Sequence, residues 1–98
     1  MLNACLIGYG YWGNKLARNF QNSKDFNLVS IVDIKIKNLN SAKKTYQLIE
    51  TYKNYEEAIK SNDIDLVIIS SPTITHYKIA SYALQKNKHV LVEKPLSL

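Results

Sequence analysis

The chain contains three glycines, and all fall in one six-residue window, "GYGYWG", as Gly8, Gly10 and Gly13. Glycine serves where a β-carbon is least tolerable, in a tight turn or at a close approach of backbone to a ligand. The window follows the compact apolar run "NACLI" and opens a stretch where Trp12, Leu16 and Phe20 recur every four residues, one face of a helix. A G-x-G-x-x-G between a strand and a helix is the setting in which the motif binds a pyrophosphate. Gly8 allows the turn off the strand, Gly10 lets backbone approach the phosphates, and Gly13 lets the helix pack closely on the sheet. N–H groups at the helix start, together with the positive end of its dipole, then hold the anion. Tyr9, Tyr11 and Trp12 lie in the same cofactor-binding window, with Trp12 on the apolar stripe and expected in the core rather than stacked on a base.

Asp33 stands twenty residues after Gly13, closing the second apolar run, "FNLVSIVD". A carboxylate there can accept hydrogen bonds from an adenosine ribose. A turn residue or helix cap is the plainer alternative. The negative charge disfavours a 2′-phosphate, so NAD is expected over NADP, although Lys35 and Lys37 stand close enough to leave NADP open. The tail "KHVLVEKPLSL" poses a separate question, because an apolar run expected to be a buried strand, Val90 to Val92, delivers Glu93, Lys94 and Pro95 at its exit.

These residues need a scaffold, and the rest of the chain describes one. Short apolar runs alternate with amphipathic stretches: "NACLI", "FNLVSIVD", a short "LIET", "DLVIIS" and "HVLVE" read as strands. Helical spacing marks Tyr11 to about Gln21, then Leu39, Ala42 and Tyr46, then Tyr77, Ala80 and Leu84. Asn54, with Glu57 three positions on, resembles a capping box. Asn87 is expected as a left-handed helix cap in the absence of glycine. "DLVIIS" is apolar on both faces, as a parallel strand covered by helices on each side must be. The alternation predicts a Rossmann-type, doubly wound parallel sheet in three α/β/α layers, one domain over residues 1–98.

Composition narrows the functional classes. A 98-residue chain with 46% apolar residues can bury one core without disulfides or metals. The net charge of +5 comes from lysines scattered along the whole chain, with no compact basic cluster, so nucleic acid is not expected as a partner. The lone Cys5 lies in a buried-strand run, cannot form an internal disulfide and points to a reducing, cytoplasmic setting. No apolar stretch is long enough to span a membrane, and "MLNACLIGYG" lacks the features of a signal peptide. No metal site is expected, since His76 has no accompanying cluster of ligands.

Together, "GYGYWGNKLARNF", Asp33, "IDLVIISSPTITHYKIASYAL" and "KHVLVEKPL" resemble the N-terminal half of the Gfo/Idh/MocA oxidoreductases over essentially the whole chain. The resemblance implies that Gly8, Gly10, Gly13 and Asp33 hold the dinucleotide. It implies further that Ser70, Ser71, Pro72, Thr73 and His76 line the cofactor site, a capping or partly buried role being the alternative for His76. Glu93, Lys94 and Pro95 match the family's E-K-P motif, whose lysine lies near the nicotinamide. There an ammonium can hydrogen-bond a substrate hydroxyl and favour the charge that develops as hydride leaves, which makes Lys94 the expected catalytic residue. Glu93 would orient it and Pro95 fix the backbone.

Asn87 departs from the family, which usually has glycine there. The resemblance implies a substrate domain, with a catalytic aspartate and histidine, after the E-K-P segment, and that domain is expected to lie outside these 98 residues. The chain is therefore expected to be the NAD-binding half of a sugar or cyclitol dehydrogenase, inactive alone, with exposed apolar surface and a tendency to homo-oligomerise. "GYGYWGNKLARNF" also looks like members acting on nucleotide-activated amino sugars. A non-enzymatic NAD-sensing module and an S-adenosylmethionine-dependent methyltransferase are the alternatives.

Overall fold

The computed structural model describes residues 1–71 and 73–93, with the side chains of Tyr11, Trp12 and Thr73 excepted. Five strands alternate with four helices: β1 (Leu2–Ile7), α1 (Tyr11–Gln21), β2 (Phe26–Val32), α2 (Ile36–Thr45), β3 (Glu50–Tyr52), α3 (Tyr55–Ile59), β4 (Leu66–Ile69), α4 (Thr73–Gln85) and β5 (His89–Val92). The sheet runs in the order β3-β2-β1-β4-β5 with every pair parallel. The chain winds outward one way to β3 and then returns past β1 to β4, so the switch in strand order lies between β1 and β4. The expected doubly wound α/β architecture is present.

The core lies on both faces of the sheet, because strand side chains alternate. Leu6, Leu28, Ile31 and Ile68 face one layer with Tyr9, Ala17, Leu39 and Ala42, whereas Cys5, Ile7, Val67 and Ile69 face the other with Ile59, Ile79 and Ala83. All four residues of β4 are buried, in keeping with its unbroken apolar run. Each such side chain contributes about 1.5–3 kcal/mol by leaving water. Register slips once, between Ala4 and Cys5, where β2 carries an extra residue. Leu28 and Ile31 consequently share a face although three residues apart.

Three expectations need correction. The inward face of α4 is centred on Ile79 and Ala83; of the expected stripe Ala80 packs against the core, whereas Tyr77 and Leu84 are 84% and 62% exposed. Helical spacing fits both stripes, and it is the contact with β4 and β5 that selects one. β5 is also not a buried strand. Among the described residues it pairs with β4 alone, and Leu91 and Val92 remain more than a third exposed at the sheet edge. The third strand starts two residues later than "LIET", with Leu48 in solvent and Ile49 buried ahead of it.

Both predicted asparagine caps form. Asn54 accepts a hydrogen bond from the Glu56 N–H, one position short of the capping-box partner. Asn87 has φ 63° and closes α4.

Candidate dinucleotide-binding site

The strand register places four residues in one row. Ile7 pairs with Val32 and with Ile69, and Ile69 pairs with Val92. The next residue of each strand is then Asp33, Gly8, Ser70 and Glu93, standing side by side at the carboxyl edge of β2, β1, β4 and β5. Hydrogen bonds extend the ladder through this row: Gly8 N–H to Val32 O at 2.7 Å, Ser70 N–H to Ile7 O at 2.8 Å and Glu93 N–H to Ile69 O at 2.9 Å. With strands about 4.8 Å apart, the row spans roughly 14 Å. Open α/β sheets take ligands at this edge, beside the switch in strand order.

The three glycines have different reasons to be there. Gly8 has φ +97°, and a β-carbon on it would come within 2.9 Å of the Ser71 nitrogen. A β-carbon on Gly13 would overlap the Gly8 carbonyl oxygen outright. These two glycines let the turn and the first coil of α1 fold against each other. Gly10 differs. It precedes α1 with φ −75°, which any residue adopts, and a β-carbon there would meet nothing within 4 Å. The fold makes no steric demand for glycine at position 10, and open space is left beside the turn.

That open space lies at the start of α1. The first-turn N–H groups of a helix have no intrahelical partner, and no acidic side chain stands in the first turn of α1 to compete for them. The residues present fit a pyrophosphate: first-turn N–H groups, a helix dipole and open space that a β-carbon on Gly10 would enter.

Asp33 is tied into the turn as well as presented at the row. Its Oδ2 accepts the Tyr9 N–H at 2.8 Å and the Asn38 side-chain amide at 3.0 Å, and its Oδ1 accepts the Lys35 N–H at 2.8 Å. The bond to Lys35 is an Asx-turn leading into α2. Asp33 thus has the turn role set out as an alternative, and its position at the row is the one the ribose role requires.

Ser70 joins β4 to the glycine turn. Its hydroxyl donates to the Gly8 carbonyl at 2.8 Å, with Ile7 O at 3.2 Å. Ser71 shares a hydroxyl–hydroxyl bond of 2.9 Å with Thr75, and His76 Nε2 donates to the Ser71 carbonyl. His76 therefore braces the β4–α4 loop, half-buried, with Nε2 as the protonated nitrogen in its neutral form. The Tyr9 side chain is 4% exposed, within the core, and only its main chain faces the turn.

Pro72, Lys94 and Pro95, and the side chains of Tyr11, Trp12 and Thr73, lie outside the described residues. No group of three or more metal-ligating side chains occurs among the described residues. Sequence reasoning missed Asn38. As a polar residue in the first turn of α2 it carries no periodic signal, and only the fold reveals its partner.

Comparison with known proteins agrees with this geometry. A family model described as an oxidoreductase family with an NAD-binding Rossmann fold, GFO_IDH_MocA, matches residues 2–98. A myo-inositol 2-dehydrogenase of Thermotoga maritima is 33% identical over 93 residues, covering 95% of this chain and 28% of that protein. A scyllo-inositol dehydrogenase from Lactobacillus casei, solved with NAD(H) and scyllo-inositol, superposes with a TM-score of 0.89 at 28% identity, covering 100% of this chain and 29% of the other. A biliverdin reductase from Synechocystis sp. PCC 6803, solved with biliverdin and NADP+, superposes with a TM-score of 0.89 at 30% identity, over 99% and 30% of the two chains. The chain spans under a third of the length of each of these proteins.

Proposed function

The chain belongs to the Gfo/Idh/MocA oxidoreductases, with their NAD-binding Rossmann fold, and from that premise we propose that it is the cofactor-binding half of a dehydrogenase acting on a sugar or cyclitol hydroxyl. A nucleotide-activated amino sugar is one substrate within that class. Bound NAD supplies the acceptor for the hydride, and this chain binds and orients it.

In this reading the first turn of α1 and Gly10 take the pyrophosphate, and Asp33 accepts the adenosine ribose hydroxyls. Ser70, Ser71 and the loop braced by His76 form the wall on the β4 side. Glu93 follows β5 at the far end of the row from Asp33, and the role of Lys94, the next residue in sequence, is at the reacting carbon. Its ammonium hydrogen-bonds the substrate oxygen as hydride departs. NAD is preferred to NADP because the Asp33 carboxylate repels a 2′-phosphate. A homo-oligomer in a reducing, cytoplasmic setting completes the reading, with the exposed edge of β5 and the buried free Cys5 in its favour.

The observation that carries the proposal is the single row of Asp33, Gly8, Ser70 and Glu93 at the switch in strand order. Calorimetric titration of this chain with NAD+, NADP+ and S-adenosylmethionine tests it. Binding is expected in the order NAD+ over NADP+, with no heat from S-adenosylmethionine and no steady oxidation of inositols by the chain alone. Equal or reversed dinucleotide affinities would remove the Asp33 role, and steady turnover would show the catalytic groups to be misplaced.

A further inference from the structure

We propose that Asn38 is a positioning residue for Asp33 and thereby sets how strongly the site prefers NAD to NADP. The inference rests on the reading of Asp33 as the ribose acceptor. Among the described residues three donors converge on that carboxylate and all are uncharged: the N–H groups of Tyr9 and Lys35 and the side-chain amide of Asn38. Uncharged donors fix a carboxylate without neutralising it, so its full charge stays available to meet a ribose and to oppose a phosphate. Two of the three are main-chain groups that any sequence would supply. The third depends on one side chain.

Asn38 is suited to this by its place. It is the third residue of α2, half-buried, and its own N–H is satisfied by the Lys35 carbonyl at 3.0 Å. Its amide shares Oδ2 with Tyr9, which leaves Oδ1 with one bond, from Lys35. The Asn38 contact therefore adds a side-chain restraint to a carboxylate whose two oxygens are already held by main-chain N–H groups, and the spare acceptor capacity lies at Oδ1. Through Tyr9 the same carboxylate holds the glycine turn, so the ribose and pyrophosphate subsites share one anchor.

The test replaces Asn38 without weakening α2. Alanine and leucine are both better helix formers than asparagine, and Asn38→Leu also keeps the side chain's bulk. Affinities for NADH and NADPH are measured on the intact chain by nucleotide fluorescence, beside thermal melts, with Asp33→Asn as the reference. Both Asn38 variants should melt within a few degrees of the parent and lose about three- to tenfold in NADH affinity, with NADPH affinity unchanged or higher. An unchanged preference for NADH, or an equal loss for both nucleotides, overturns the proposal. If Asp33→Asn itself leaves the preference intact, the ribose reading of Asp33 has failed. If Asp33→Asn lowers it and the Asn38 variants do not, only the positioning role has.

Discussion

A β-carbon on Gly13 would fall on the carbonyl oxygen of Gly8, with Ser70 Oγ 3.0 Å away. The glycine turn, the first coil of α1 and the end of β4 are therefore one packed unit. A β-carbon on Gly10, three residues earlier, would touch none of it. Alanine should separate the two roles. Gly13→Ala forces backbone apart and should cost about 1–3 kcal/mol or more of stability. Gly10→Ala should still fold, losing about 0.5–1 kcal/mol through the poorer N-cap of α1, yet bind NADH at least about tenfold more weakly. Urea unfolding and nucleotide titration on both variants check this, and a Gly10→Ala protein with parental affinity would place the pyrophosphate elsewhere.

Ser70 is the polar link inside that unit. Its hydroxyl donates to the Gly8 carbonyl at 2.8 Å across the switch in strand order. Ser70→Ala should cost about 0.5–1.5 kcal/mol, the net worth of one hydrogen bond. The variant should also show faster amide exchange at Gly8 and Tyr9. Exchange unchanged there, with stability lost, would mean that Ser70 serves β4 alone.

The strand–helix alternation, the glycine turn and the acidic end of β2 were legible because each has a local cause: an apolar run, a residue without a β-carbon, or a charge where a strand stops. What stayed hidden depended on long-range contact. Nothing local chooses Ile79 and Ala83 over Tyr77 and Leu84 as the buried side of α4. "HVLV" is as apolar as a central strand, and only its place at the end of the sheet exposes it. Asn38 meets Asp33 because α2 begins beside the β2 exit. Tyr9 sits within the glycine window but packs inward with Leu6 and Ala17.

Asn87 ends α4 where glycine would do so with less strain. Its N–H bonds the Leu84 carbonyl at 3.0 Å, and the Lys88 N–H bonds Ala83 O at 3.0 Å, the pair that defines a Schellman motif. At φ 63° asparagine is tolerated and alanine is not. Asn87→Gly should raise stability by about 0.5 kcal/mol, relief of strain being partly offset by a freer unfolded chain. Asn87→Ala should lower it by about 1 kcal/mol, some 4–8 °C in Tm. Melting points in the order glycine, asparagine, alanine would match, and an alanine variant as stable as the parent would not.

The alkaline limit of the fold should be set in large part by Cys5. Burial pushes its thiol from 9.0 up to about 12, the neighbouring Ser30 hydroxyl offsetting only a little. A buried thiolate has no water around it, so the folded chain keeps the proton. Between pH 9 and 12 the unfolded chain has released a proton that the folded chain still holds. Stability therefore falls through that window, by about 1.4 kcal/mol per pH unit at its steepest, and is fully retained below pH 9. Tyr52 works in the same direction, raised to about 12 first by its hydrogen bond to the Glu50 carboxylate and then by burial. It is partly exposed, and solvent screening leaves its share smaller. Urea unfolding of the parent and of Cys5→Ala at pH 8, 9, 10 and 10.5 measures the difference. The alanine variant should start less stable at pH 8, for want of a sulfur in a tight core, and the gap should close as pH rises. Parallel curves would mean that the thiolate finds solvation within the folded sheet.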